Sequence, residues 1–177
     1  MNTDFVSIGL TNPKSTSNVG AVMRAAGCYQ VDQVLYSGAR YDRAAKLATD
    51  TKKAHTSIPL INIESLGLDE LIDAVDEETK IICVDLIQGA TPLPSFEHPK
   101  KALYVFGPED GTISQKVVDR ADHVVFVPTV GCMNLAASVN VLLYDRLAKS
   151  ATAIADDELI RRSKDVNNNV KVRTKRV

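Results

Sequence analysis

Arg24 has the charge and the spacing to hold an anion at the start of a helix. The sequence predicts a helix from Asn18 to Tyr29, with Asn18 as its N-cap. Gly20 lies one helical turn before Arg24, so the arginine side chain can lie back over a position that has no side chain. The helix dipole repels a cation there unless an anion such as a phosphate lies between them. The alternative is a surface arginine whose stem packs on the helix.

A second loop brings a carboxylate to the end of a predicted strand. The apolar run at 102–106 is followed by Gly107, Pro108 and Glu109. Ser114 then stands where the cap of a short helix is expected. Neither a GxGxxG pattern nor a P-loop is present, which argues against the common nucleotide-binding fingerprints. Glu109 either belongs to an acidic turn or faces a ligand.

A third loop follows the apolar run at 123–127 and precedes the most apolar helix of the sequence. It contains Pro128, Gly131 and Cys132, and Asn134 stands where the N-cap of that helix belongs. Capping alone would explain the asparagine. Because Cys132 has no histidine near it in the sequence, we interpret it as an inert thiol rather than a nucleophile.

Alternating strands and helices are predicted to position these loops. Strands are predicted at 5–10, 33–37, 58–63, 80–86, 102–106 and 123–127, and helices at 18–29, 41–49, 68–75, 114–120 and 134–149. Short uninterrupted apolar runs are typical of strands that are covered on both faces. The last helix is apolar around much of its circumference, which predicts burial against the sheet or a second subunit. The sequence therefore predicts an α/β fold, a mostly parallel sheet with helices on both faces, in which ligands bind beyond the carboxyl ends of the strands.

The charge of the chain is divided unequally between its body and its C-terminus. The net charge is −1, but residues 160–177 hold seven of the 21 lysines and arginines and one of the 22 acidic residues. A basic tail on an acidic body suits a polyanion, and the alternative is a solvated terminus. We therefore divide the chain into a domain at 1–155 and a basic tail at 156–177.

Composition disfavours several classes of protein. No segment approaches the roughly 20 apolar residues of a membrane helix, and the first ten residues lack the regions of a secretion signal. Three isolated cysteines argue against a disulfide framework or a structural zinc site. The three histidines show no metal-ligand spacing. We therefore expect a cytoplasmic protein that binds neither a metal nor a membrane.

In combination and in this order, the three loops resemble the motifs of the SpoU/TrmH branch of the SPOUT methyltransferases. The stretch from Asn18 to Arg24 is similar to that family's N-x-G-x-x-x-R motif, the stretch at 106–109 to its second motif, and the stretch at 127–135 to its third. The resemblance covers roughly residues 4–150.

Two stretches depart from the family pattern. Cys132 stands where relatives usually have serine, and a thiol is a weaker hydrogen-bond partner. Relatives usually have two further glycines around a variable residue after the second motif, whereas here Asp110 and Thr112 flank a single Gly111. Asp110 adds an anion close to the expected path of RNA.

The resemblance implies a fold, a cofactor and an assembly. Members of this family fold as an α/β sheet whose C-terminal part forms a deep trefoil knot, bind S-adenosylmethionine in that knot, and dimerise through the first and the C-terminal helix. By motif matching, the cofactor contacts fall on Leu86, Gly107, Val127, Pro128, Cys132, Met133 and Leu135. The implied activity is methylation of a ribose 2′-hydroxyl of RNA by a homodimer, with tRNA favoured over rRNA.

The resemblance also implies roles for single residues. The catalytic residues would be Arg24, Asn18, Glu109 and Asn134. Because arginine keeps its proton up to about pH 12, we expect Arg24 to bind a phosphate and stabilise the forming alkoxide, oriented by Glu109 or Asn134. The candidate RNA contacts are Arg24 and, in the tail, Arg161, Arg162, Lys171 and Arg173.

Two other functions compete with this hypothesis. A non-catalytic RNA-binding or cofactor-sensing protein on the same scaffold would tolerate the departures at Cys132 and Thr112. A nucleotide-binding α/β oxidoreductase is disfavoured by the missing GxGxxG.

Overall fold

Seven strands form one sheet, in which every pairing among the described residues is parallel. The computed structural model describes residues 4–47, 57–150, 157–163, 170 and 172. The strands are β1 (Phe5–Leu10), β2 (Gln33–Tyr36), β3 (Leu60–Asn62), β4 (Lys80–Val84), β5 (Thr91–Pro92), β6 (Lys101–Phe106) and β7 (His123–Phe126). Their order across the sheet is β3-β2-β1-β6-β4-β7-β5. The predicted α/β fold is therefore confirmed.

Helices and short 3₁₀ turns cover the sheet. The α-helices of the described residues are α1 (Thr16–Cys28), α2 (Arg40–Leu47), α3 (Gln115–Arg120), α4 (Leu135–Lys149) and α5 (Asp157–Ser163). The 3₁₀ turns are Ile63–Leu66, Leu71–Ala74 and Leu93–Ser95. α1 and α4 pack against each other.

Both faces of the sheet are buried, as the uninterrupted apolar runs predict. In β6, Ala102, Tyr104 and Phe106 belong to the core that includes α1 and α4. Leu103 and Val105, which alternate with them, belong to a second core that includes α3. Since successive side chains of a strand point to opposite faces, a strand covered on both sides needs apolar residues at every position.

Several elements differ from the prediction, among them α5, which no predicted helix covers. α1 begins two residues earlier than expected because Ser15 is its N-cap and accepts the N–H of Asn18, so the assignment of Asn18 as the cap was wrong. The predicted helix at 68–75 is instead a single 3₁₀ turn, which suffices to bury the adjacent Leu71 and Ile72. β5 was missed because two residues carry no periodic pattern.

A largely buried hydrogen-bonded network fastens the C-terminal half of α4 to the loop before β6. Arg146 donates to the hydroxyl of Tyr104 (3.1 Å), which lies 2.7 Å from Nδ1 of His98, and Nε2 of His98 lies 2.9 Å from the carboxylate of Asp145. The tyrosine proton therefore goes to Nδ1, which assigns the proton of neutral His98 to Nε2. Burial lowers the pKa of His98, Asp145 opposes this shift, and the cations Arg146 and Lys149 add to it.

The C-terminal tail is described only in part. Arg161 and Arg162 are exposed on α5, whereas Lys171 and Arg173 lie outside the described residues. The division of the chain at residue 155 and the trefoil knot stay predictions. Within the described ranges, no helix has both the length and the apolar character that crossing a membrane requires.

Candidate functional site

A chain of hydrogen bonds joins the three predicted loops. Nδ2 of Asn134 donates to Oδ1 of Asn18 at 2.9 Å, and Nδ2 of Asn18 donates to Oε1 of Glu109 at 3.0 Å. Each of these residues follows a different strand, and the parallel sheet brings the carboxyl ends of β1, β6 and β7 to one edge. The structure thus brings together three of the four residues that were predicted to be catalytic.

Asn134 determines the direction of this chain. Its Oδ1 accepts the N–H groups of Ala136 (2.9 Å) and Ala137 (3.3 Å), which confirms it as the N-cap of α4. Its Nδ2 is then left to donate to Asn18. Asn18 must therefore present its oxygen to Asn134 and its nitrogen to Glu109, so it links the other two loops instead of capping α1.

The carboxylate of Glu109 fastens the start of α1. It accepts the backbone N–H groups of Lys14 at 2.8 Å and Ser15 at 3.2 Å in addition to the amide of Asn18. Burial alone would raise the pKa of Glu109, but these hydrogen bonds outweigh burial and lower it. An ionised carboxylate with three donors is a weak proton acceptor at neutral pH, so this geometry suits Glu109 to holding its donors in place more than to taking up a proton.

A cavity lies beyond the carboxyl ends of β4, β6 and β7. It has a volume of about 160 Å³. Six of the seven residues predicted to contact a cofactor line it, namely Leu86, Gly107, Val127, Cys132, Met133 and Leu135. Pro128 is exposed and is not among the lining residues. Glu109 also lines the cavity, which joins it to the hydrogen-bonded chain.

Gly107 lies in a tightly packed part of the wall of this cavity. A Cβ atom there would lie 3.2 Å from Oδ2 of Asp85 and 3.2 Å from the backbone nitrogen of Ile113. Thr112, one of the departures from the family pattern, donates its hydroxyl to the same Asp85 oxygen at 2.7 Å. The sequence did not single out Asp85, because a lone carboxylate after a strand carries no pattern.

Arg24 does not join the other catalytic candidates within one chain. It is exposed on α1, it is not among the residues that line the cavity, and its side chain forms no hydrogen bond or ion pair among the described residues. A Cβ atom at Gly20 would meet nothing within 4 Å, so the space above that glycine is open and the side chain of Arg24 does not lie against it. The orientation of Arg24 by Glu109 or Asn134 stays a prediction.

Asp110, the other departure in the second loop, is neutralised by two cations. Arg40 binds its carboxylate through Nη1 and Nη2 at 2.9–3.1 Å, and Nζ of Lys14 lies 3.3 Å away. These contacts lower the pKa of Asp110 to about 2, with the hydrogen bonds from Arg40 as the largest cause. The sequence did not identify Arg40, since the ion pair joins residues 70 positions apart.

Known structures share this architecture at low sequence identity. The SpoU methyltransferase AviRb from Streptomyces viridochromogenes, in complex with AdoMet, is 19% identical, with a TM-score of 0.61 over 81% of this chain and 57% of that one. An AdoMet-bound rRNA methyltransferase from Sinorhizobium meliloti is 16% identical, with a TM-score of 0.63 over 81% of this chain and 56% of that one. This chain thus spans little more than half the length of either protein.

A third structure matches over nearly its whole length. That structure concerns the 2-OH methylation of C/U34 on tRNA. Its sequence is 18% identical, and the TM-score is 0.61 over 82% of this chain and 90% of that one. No curated protein sequence gave a significant match.

The parallel sheet and the cavity at its carboxyl edge define the fold class that this chain shares with those structures. The model of the SpoU rRNA methylase family matches residues 6–144, which is most of the chain. The chain belongs to that family. Among the described residues, no cluster of three or more His, Cys, Asp or Glu side chains could hold a metal ion.

Proposed function

We propose that this protein transfers the methyl group of S-adenosylmethionine to a ribose 2′-hydroxyl of RNA. The observation that carries the proposal is the hydrogen-bonded chain from Asn134 through Asn18 to Glu109, which ends at the wall of the strand-end cavity. Membership of the SpoU rRNA methylase family supports the same chemistry. Two similar proteins contain AdoMet, and the description of a third names 2-OH methylation.

The residues of the cavity fit S-adenosylmethionine in polarity and charge. Leu86, Val127 and Met133 give the cavity an apolar wall, which suits an adenine ring and an aliphatic chain. Asp85 and Glu109 contribute carboxylates, which suit a cationic sulfonium. When bound, the cofactor supplies a methyl group on positively charged sulfur, which an oxygen nucleophile attacks directly.

Arg24 is the residue that we propose to act on the ribose and its phosphate. Its guanidinium keeps its proton at physiological pH, so it binds the phosphate and stabilises negative charge on the 2′-oxygen. Glu109 does not take the hydroxyl proton, because its pKa is lowered and its oxygens already accept three hydrogen bonds. The hydroxyl proton therefore passes to water as the 2′-oxygen attacks the methyl group, while the guanidinium of Arg24 stabilises the forming alkoxide.

A homodimer would supply Arg24 to the cavity of its partner. Within its own chain Arg24 does not line the cavity. α4, which packs against α1, exposes Val141, Tyr144 and Leu147 by 37%, 63% and 43%, and their spacing of three residues places them along one face. Large exposed apolar side chains on one helix face suit a subunit interface. We therefore propose that α1 and α4 form the dimer interface.

The substrate that we propose is tRNA in preference to rRNA. The solved structure that is matched over 90% of its own length is described by methylation of tRNA, whereas the family description names rRNA. The tail cations would contact RNA phosphates outside the cavity. The free thiols of all three cysteines suit the reducing cytoplasm, where we place the protein.

One experiment separates this function from its alternatives. The full chain is incubated with methyl-labelled S-adenosylmethionine and either bulk tRNA or rRNA, and the RNA is then digested to nucleosides. We expect label in 2′-O-methylnucleosides, and more of it from tRNA. Label on a base would refute the ribose assignment. RNA binding without any label would favour the non-catalytic protein.

A further inference from the structure

The guanidinium of Arg40, which lies outside the three motif loops, forms hydrogen bonds to two of these loops. One edge of Arg40, the first residue of α2, donates from Nε (3.0 Å) and Nη2 (2.6 Å) to the carbonyl oxygen of Asn12. The other edge binds the carboxylate of Asp110 through Nη1 and Nη2. Asn12 lies in the loop between β1 and α1, and Asp110 follows Glu109 in the loop after β6.

The loop that Arg40 holds has a strained backbone. Asn12 has φ of 43°, in the left-handed region that residues other than glycine rarely adopt. Its side chain occupies the space above Gly38, where a Cβ atom would lie 2.2 Å from Oδ1 of Asn12. That Oδ1 atom is buried and has no hydrogen-bond partner. A strained conformation persists only where the surroundings hold it. The two hydrogen bonds from Nε and Nη2 of Arg40 to the Asn12 carbonyl oxygen restrain the loop in this way.

This loop determines where Asn18 lies. Two and three residues after Asn12, the N–H groups of Lys14 and Ser15 bind the carboxylate of Glu109, and Ser15 then caps α1. The consecutive carboxylates of Glu109 and Asp110 therefore fasten the same loop, one directly and one through Arg40. Both Arg40 and Asp110 are partly exposed to solvent, so their Coulomb attraction is screened. The ion pair therefore contributes mainly by fixing the relative orientation of the two side chains through its bidentate hydrogen bonds.

We propose that Arg40, paired with Asp110, is a positioning residue for methyl transfer that sets the start of α1 and hence the orientation of Asn18. This inference rests on the proposed function for its catalytic consequence, but its structural content is independent of it. Asp110 replaces a glycine of the family pattern, and in this chain the replacement supplies the anchor for Arg40.

The test uses Arg40→Lys, which keeps the cation but loses the fork, and Asp110→Asn, which keeps the size but loses the charge. Arg43→Lys is the matched control, since Arg43 lies one turn further along α2, is exposed, and forms no side-chain hydrogen bond or ion pair among the described residues. All variants are studied as full chains well below their unfolding temperatures.

Two measurements follow the position of α1. In both test variants we expect the backbone amides of Lys14 and Ser15 to exchange with solvent about tenfold faster, and the side-chain amide signals of Asn18 to shift in NMR spectra.

We expect kcat for RNA to fall on the order of 10- to 100-fold with cofactor affinity within about twofold of the wild type, since a small misplacement of reacting groups suffices for such a loss. Combining both substitutions is expected to cost no more than the worse single one.

The outcomes distinguish this inference from the proposed function. Unchanged amide exchange and unchanged Asn18 signals in the test variants overturn the positioning role, whether or not the wild-type protein methylates RNA. Changes of equal size in amide exchange and in the Asn18 signals for Arg43→Lys would also overturn the positioning role. If the amide and NMR changes occur but the wild-type protein transfers no methyl group, the positioning role stands and the proposed function fails.

Discussion

Replacing Glu109 by glutamine tests the hydrogen-bonded chain at its acidic end. The carboxylate accepts three hydrogen bonds, from the N–H groups of Lys14 and Ser15 and from the amide of Asn18. Glutamine has nearly the same shape but only one accepting oxygen. Its NH₂ group must therefore face at least one of these donors, so at least one hydrogen bond is lost and the negative charge near the start of α1 disappears.

The expected loss of free energy of unfolding follows from the number of hydrogen bonds that are lost and from the charge of the acceptor. A hydrogen bond to a charged group contributes about 1.5–3 kcal/mol, and because Glu109 is partly exposed we expect about 2 kcal/mol for Glu109→Gln. In a chain of this length that corresponds to a Tm lower by about 4–8 °C at pH 7. Glu97→Gln is the control, since Glu97 is exposed and its side chain forms no hydrogen bond or ion pair among the described residues. Thermal unfolding by circular dichroism measures both.

The pH dependence of this difference gives a second, independent check. Because the pKa of Glu109 is lowered below its ordinary value of 4.5 in the folded protein, its stabilisation is complete above that value and is lost as the pH falls through the folded pKa. The Tm difference between wild type and Glu109→Gln is therefore expected to narrow below about pH 4.5. An equal Tm at pH 7, or a difference that stays constant into acid, would refute the reasoning.

Four further predictions follow from the same structure. Arg24→Ala is expected to abolish methylation while leaving cofactor affinity nearly intact, as measured by calorimetry, and lost cofactor binding would contradict its role. Gly107→Ala places a Cβ atom 3.2 Å from Asp85 Oδ2 and is expected to weaken cofactor binding by about tenfold, so unchanged affinity would exclude that wall of the cavity as the binding surface. Because the pKa of His98 is lowered from 6.5, the free energy of unfolding is expected to fall as the pH drops below 6.5, and an NMR titration with His98 already protonated at that pH would disprove this. Removing residues 160–177 takes away seven cations and is expected to weaken RNA binding and flatten its salt dependence, whereas unchanged affinity would remove the tail from the interface.

The sequence predicted those features that follow from local pattern and sheet geometry. Continuous apolar runs identified β4, β6 and β7, because a strand buried on both faces has no polar position. Asn134 was recognisable as a cap because an asparagine stands directly before an apolar helix. Glu109 and Asn134 lie on the same side of the molecule because the carboxyl ends of parallel strands share one edge of the sheet, and Asn18 joins them.

Features that depend on competition or on distant contacts were not predictable in this way. Asn18 and Ser15 are both good caps, and only the folded loop decides that Ser15 takes this role and leaves Asn18 free to bridge the loops. The ion pair of Arg40 with Asp110 joins two residues that share no local pattern. Pro128 matched a motif but is exposed beside the cavity, since a motif assigns a stretch of chain and not the direction of each side chain.

The most direct test of a site shared between subunits combines two inactive variants. Arg24→Ala keeps an intact cavity, and Gly107→Phe, whose ring has no room beside Asp85 and Ile113 and is expected to abolish cofactor binding, keeps an intact arginine, so a mixed dimer contains one complete site if Arg24 acts across the interface. When the two are co-expressed in equal amounts, we expect formation of 2′-O-methylnucleosides in RNA at about a quarter of the wild-type rate, since half of the dimers are mixed and each has one working site. Co-expressed variants that stay as inactive as either one alone would contradict the account.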